Sequence, residues 1–255
     1  MFRNTLIVGS YFCSLALAQN IAITSAASAL AGLAPESLAT VSGTNLAPVM
    51  AQATTQPWPT TLEGITMQVS DSASVTRPAG LLLVSPTQIN FQVPAGTAPG
   101  AATVTIAGGI ARISMPVLIE PSAPGLFSMN DQGVAAATAI RVVIPTQIQS
   151  PVSVFHCTGG MGPSCQLDPI SLGVDTPIYL SFYGTGIRGR SSLANVKVTI
   201  GTVDIEPTYA GPQPDTAGLD QVNVPLVLSL RGAGVVNVTV TVDGVRSNPV
   251  KIDVQ

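Results

Sequence analysis

Charge is the scarcest property of this chain. Charged residues make up 9% of its 255 residues, against about 25% of an ordinary soluble protein, and only Lys197 and Lys251 are lysines. With 10 basic residues set against 13 acidic ones, there is no clustered positive charge for a phosphate backbone, which excludes nucleic acid as a partner. Histidine is scarcer still: His156 is the only one. A Ser-His-Asp hydrolase would have to be built on that single imidazole, and no G-x-S-x-G elbow accompanies it. Aromatic residues are 4% of the chain, which leaves few rings for stacking on a ligand. Helical periodicity is hard to find, and no apolar run beyond residue 17 approaches the roughly 20 residues that span a bilayer. No cofactor motif is complete either. Gly184-Thr185-Gly186-Ile187-Arg188-Gly189 lacks the Lys-Ser/Thr ending of a phosphate loop and precedes no helix, so it reads as a strand exit in which glycines supply positive φ.

What the chain has in quantity is apolar surface and turn residues. Hydrophobic residues reach 46%, with 24 Gly and 21 Pro. That excludes disorder and fits β-strands broken by frequent turns. Residues 1–18 place Arg3 before an apolar stretch and finish on Ala16-Leu17-Ala18, the pattern of a secretory signal peptide cut after Ala18. Cys13 would leave with it. The remaining pair, Cys157 and Cys165, flanks the turn-rich Thr158-Gly159-Gly160-Met161-Gly162-Pro163-Ser164, and export favours a disulfide between them. A metal site from His156, Cys157, Cys165 and Asp168 is disfavoured because adjacent ligands at 156 and 157 are awkward.

The sequence repeats itself. Ser85-Pro86-Thr87-Gln88-Ile89-Asn90-Phe91-Gln92-Val93-Pro94 is echoed by Gly218-Leu219-Asp220-Gln221-Val222-Asn223-Val224-Pro225. The offset that carries Gln88 to Gln221 also carries Pro116-Val117-Leu118-Ile119 to Pro249-Val250-Lys251-Ile252. Upstream, Leu38-Ala39-Thr40-Val41-Ser42-Gly43-Thr44 resembles Tyr179-Leu180-Ser181-Phe182-Tyr183-Gly184-Thr185. A repeat of this length is a tandem duplication of one unit. Alternation at period two in residues 65–69, 196–200 and 236–242 marks half-buried antiparallel strands, and Asp243-Gly244 is a hairpin turn. The expected fold is all-β: two tandem immunoglobulin-like β-sandwiches at 19–120 and 174–255. Between them, residues 121–173 carry the disulfide loop and contribute strands to the second sandwich.

Candidate contact residues are few. Gln56-Pro57-Trp58-Pro59 is an extended loop, on which Trp58 is either a lid over a sandwich end or an exposed ligand contact. Tyr179, Phe182, Tyr183 and Phe91 lie in apolar strands and are assigned to the core. Asp215, Asp220 and Asn223 are weak calcium candidates. No D-x-D-x-D-G loop holds them and turns use Asp and Asn routinely, so no metal is expected. Arg188 and Arg190 pair with nearby carboxylates or stay solvated.

The repeated segments, with Ala34-Pro35-Glu36-Ser37-Leu38, Pro124-Gly125-Leu126-Phe127 and Tyr209-Ala210-Gly211-Pro212-Gln213, resemble the Solibacter C-terminal domain family of secreted acidobacterial proteins. The likeness covers nearly the whole chain after residue 18. It implies immunoglobulin-like or IPT/TIG-like sandwiches of the kind found at cell surfaces, and it brings no catalytic residues. In that family the unit commonly ends a longer protein, whereas here it follows the leader almost directly. The expected function is a secreted, non-enzymatic cell-surface, matrix or adhesion protein. Its partners would be surface or matrix proteins, polysaccharide, or further copies joined through sheet edges that so little charge leaves weakly guarded. The alternatives are an extracellular carbohydrate-binding module using Trp58 and, further off, a secreted hydrolase, which would need a pocket uniting His156 with a serine and a carboxylate.

Overall fold

The structure, a computed structural model, describes residues 21–108, 112–160, 162 and 164–255. The leader at 1–18 and Gly109 of the first copy's turn lie outside the described residues.

Alternation in the sequence becomes alternation in burial. In the strand Ile65–Ser70 the side chains of Ile65, Met67 and Val69 are buried. In Val196–Ile200 the same holds for Val198 and Ile200, while Lys197 is exposed. A strand written apolar, polar, apolar can satisfy water on one face and a core on the other, and a register slip of one residue would invert both.

Five sheets result among the described residues, two to each sandwich and the two-stranded hairpin of Phe155–Cys157 with Cys165–Leu167. The first sandwich pairs a five-stranded sheet ordered Ala22–Ser25, Leu38–Ser42, Gln88–Gln92, Gly80–Val84, Ala51–Gln52 with a six-stranded one built around Gly100–Ala107. The second pairs a sheet ordered Ile148–Val152, Ala137–Val143, Ile178–Thr185, Asp220–Pro225, Tyr209–Pro212 with one built around Gly234–Val242. The duplication is visible in the pairings. In each copy a short early strand lies parallel to the last one, Leu33 opposite Ile119 and Ile170 opposite Val254. Gly125–Leu126, Ala137–Val143, Ile148–Val152 and Pro169–Ile170 all join sheets of the second sandwich, so most of residues 121–173 belongs to that sandwich. Asp243 and Gly244 turn with φ of 48° and 86°, as the right-handed twist of the flanking strands requires.

Each sandwich has its own core, centred on Phe91 in the first and Phe182 in the second, both fully buried. Burying one such ring contributes about 1.5–3 kcal/mol.

The two sandwiches meet in a polar junction. The buried Thr185 hydroxyl accepts the Leu38 amide at 2.7 Å and donates to the Gly218 carbonyl at 2.8 Å. Arg188 bonds Asp220 at 2.7 Å and reaches Glu36 of the first sandwich at 3.4 Å. Gly218, at φ 87°, lets the chains approach: a Cβ there would lie 2.4 Å from a Leu38 methyl.

Candidate functional site

The repeated Gln-x-Asn segment places both amides on the solvent side of its strand. Ile89 and Phe91 of the first copy, and Val222 and Val224 of the second, point into the cores, so Gln88 with Asn90 and Gln221 with Asn223 point out. The copies make the same bond: Gln88 Nε2 donates to Asn90 Oδ1 at 2.7 Å, and Gln221 Nε2 to Asn223 Oδ1 at 2.7 Å. The neighbouring strand adds a hydroxyl in each case. Thr40 donates to Asn90 at 3.0 Å, and Ser181 accepts a long bond from Gln221 at 3.4 Å.

The second copy alone surrounds this pair with aromatic rings. Tyr179 and Tyr183 flank Ser181 on the outer face of Ile178–Thr185, while Leu180 and Phe182 take the core face. This corrects the sequence expectation for the two tyrosines; Phe91 and Phe182 lie in the cores as expected. The period-two rule applied to Tyr-Leu-Ser-Phe-Tyr, with the polar Ser181 marking the outer face, would have found them. Register then sets the rows: Thr138, Ser181, Asn223 and Tyr209 lie side by side, next to a row of Ile140, Tyr179 and Pro225. The Tyr183 hydroxyl lies 3.2 Å from Thr138 Oγ1. Tyr209, 37% exposed, anchors its hydroxyl on the Pro212 carbonyl at 2.5 Å. A depression of about 240 Å³ opens here, lined in part by Thr138, Ile140, Tyr179, Ser181, Thr208 and Asn223. Beside Tyr209 the outer position opposite Gln221 is Gly211. A Cβ at 211 would lie 3.1 Å from Arg190 Nη1 and 3.3 Å from the Tyr209 hydroxyl, so both side chains converge above this glycine.

Trp58 does not stand free. It is half-buried, its indole N–H donates to the Ala217 carbonyl of the second sandwich at 3.0 Å, and the backbone of Gly80 packs against its Cβ. Gln56 bonds the same loop twice, through the Ala217 amide at 2.6 Å and the Asp215 carbonyl at 3.2 Å. The loop therefore ties the sandwiches together, and of its two sequence readings the lid is the nearer one.

Each of the three calcium candidates is engaged by a partner within the protein. Asp220 is fully buried and accepts Arg188 Nε at 2.7 Å and the amides of Ile187 and Arg188 at 2.7 and 3.2 Å. Burial pushes its carboxyl up from the ordinary value, against the pull of Arg188 and those two amides. Asp215 is exposed and bonded by Gln213, and Asn223 is bonded by Gln221.

Cys157 and Cys165 form the expected disulfide, as register partners across the hairpin of Phe155–Cys157 and Cys165–Leu167. His156 stands on the same hairpin with its side chain 52% exposed and Nδ1 2.6 Å from Asp168. Ser153 also donates to Asp168. These two bonds, Ser153 first, hold the Asp168 carboxyl below the usual carboxylate range. The order matters chemically. A nucleophilic serine must hand its proton to the imidazole, whereas here the carboxylate is the hub and takes both.

No family model and no curated protein matches the chain. Among solved structures it is similar to the full extracellular region of plexin A4, at 13% identity and a TM-score of 0.25, over 91% of this chain and 18% of that one. The chain thus spans less than one fifth of the plexin's length.

Proposed function

We propose that this chain is a secreted, non-enzymatic surface or matrix module, whose two β-sandwiches present contact faces in a fixed relation to one another. The observation that carries this reading is the junction. Thr185, Asp220, Arg188 and Glu36 join the sandwiches through bonds that are largely buried, an investment that serves presentation and supplies no reacting group. Export is supported by the disulfide, which persists in oxidising compartments, by the leader pattern of residues 1–18, and by the resemblance to secreted acidobacterial proteins. The serine–carboxylate–histidine order on the hairpin supports the non-enzymatic part. The partners are surface or matrix proteins or polysaccharide. Both edges of the tyrosine-bearing sheet, Ile148–Val152 and Tyr209–Pro212, contain a proline, which removes a ladder donor from each, so its outer face is better equipped for contact than its edges.

Fractionation of the native culture tests the reading. The mature protein should be found in the envelope, the matrix or the medium, and the pure protein should leave common ester, peptide and glycoside substrates intact. Recovery in the cytoplasm, or turnover abolished by His156→Ala, would overturn it.

A further inference from the structure

The outer face of the second sandwich holds a cation with no partner. Arg190 Nε is buried and lacks a hydrogen-bond partner, and none of the ion pairs among the described residues includes this arginine. Its neighbour Arg188, by contrast, is paired with Asp220 and Glu36. Arg190 is placed by the missing side chain at Gly211, whose outward position its guanidinium covers beside Tyr209. The rest of the face, from Thr138 and Ser181 through Tyr179, Tyr183, Gln221 and Asn223, presents hydroxyls, amides and rings, with no acidic or basic side chain among these residues.

We propose that this face binds a glycan bearing carboxylates, a uronate-containing polysaccharide, with Arg190 taking the carboxylate and the tyrosines taking the sugar rings. The proposal names a ligand class for the surface module argued above and rests on that reading. Three features select the ligand. An unpaired guanidinium calls for an anion, and its planar fork fits a carboxylate bidentately. Tyrosine offers an apolar ring with a polar tip, suited to a sugar whose faces are apolar and whose rim is hydroxylated. The side-chain amides of Gln221 and Asn223 provide donor and acceptor together, as paired hydroxyls require. The depression is lined by residues of neighbouring strands, among them Thr138, Tyr179 and Asn223, which suits a polymer lying across strands. The first sandwich gives the contrast: its equivalent positions keep the Gln–Asn pair but carry Leu38 and Ser42 where the second has Tyr179 and Tyr183.

The test is affinity electrophoresis of the full mature chain through gels containing polygalacturonate or alginate, with hydroxyethylcellulose and a soluble β-1,3-glucan as neutral polymers. The acidic gels should retard the protein and the neutral gels should not, and added salt should weaken retardation. Arg190→Gln and Tyr209→Ala should each raise the dissociation constant tenfold or more, while Lys251→Gln, an exposed cation outside the face, leaves it unchanged. Thermal midpoints of the variants separate lost binding from lost folding, and Tyr209→Ala at its exposed position carries the test if Arg190→Gln does not fold. Retardation by neutral polymers only, acidic retardation that survives both variants, or no retardation at all would overturn the proposal. A cytoplasmic location would instead overturn the surface reading, whatever the gels show.

Discussion

Thr185 and Leu38 belong to different sandwiches, and the hydroxyl of the first accepts the backbone amide of the second at 2.7 Å inside a fully buried contact. The same hydroxyl donates a hydrogen bond to the Gly218 carbonyl. One side chain thus satisfies two backbone groups, one on either side of the junction.

Thr185→Val keeps the shape and removes the oxygen. The Leu38 N–H and the Gly218 carbonyl would then be buried without their partner, at a cost of about 1–3 kcal/mol for a lost buried bond. Thr185→Ser, which retains the hydroxyl, should cost less. Urea unfolding midpoints of the two variants measure the difference, and equal midpoints would contradict the role assigned to the hydroxyl.

Asp220→Ala leaves Arg188, whose side chain is only 11% exposed, without its principal counter-charge. Breaking one side of a buried pair destabilises by about 3–5 kcal/mol. The double variant Asp220→Leu with Arg188→Met should recover part of that loss, because apolar residues of similar volume tolerate such sites. The same denaturation series reads both.

Asp71 makes the fold sensitive to acid. Its carboxylate accepts the amides of Ala98, Val75 and Ala73 at 2.9, 3.0 and 3.0 Å, and Arg77 at 2.5 Å. The Ala98 and Val75 bonds do most to hold its carboxyl down, to about 2, against about 3.9 in an unfolded chain. Between those values the unfolded state binds more protons. The stabilisation is therefore complete above the unfolded value and lost as pH falls toward 2. Asp71→Asn should flatten this part of the acid limb, and an unchanged limb in stability against pH would count against it.

Replacing Cys157 and Cys165 together by serine releases a short loop, worth roughly 2–3 kcal/mol in the chain-entropy account. The loss should be greatest locally: amides of Phe155–Cys157 and Cys165–Leu167 should gain more in exchange rate with solvent than those around Phe182. Hydrogen exchange by mass spectrometry resolves the two regions.

The sandwiches, their duplication and the disulfide were legible because each rests on short-range signals: alternation at period two, turn residues and a close cysteine pair. The contact face was legible only in part. Tyr179 and Tyr183 sit in a run so apolar that composition pointed inward, although Ser181 between them marked the outer face. Asp220 read as a loop carboxylate because its partner Arg188 is 32 residues earlier in the chain. The Trp58 tie to Ala217, and the seat of Arg190 above Gly211, depend on how distant segments meet, which no local pattern encodes.

The parallel pairings of Leu33 with Ile119 and of Ile170 with Val254 also bear on tension. A pull that enters a sandwich through its early strand and leaves through its last one draws two parallel neighbours in opposite directions along their common axis. Their slanted hydrogen bonds are then strained together in shear, whereas a hairpin pulled apart at its open end releases them one at a time. Loaded through Gly32–Leu33 and Ile113–Ile119, the first sandwich therefore resists stretching better than peeling at an edge, whereas in the second Gly125–Leu126, Ala137–Val143 and Ile148–Val152 precede the parallel strand and take the pull first.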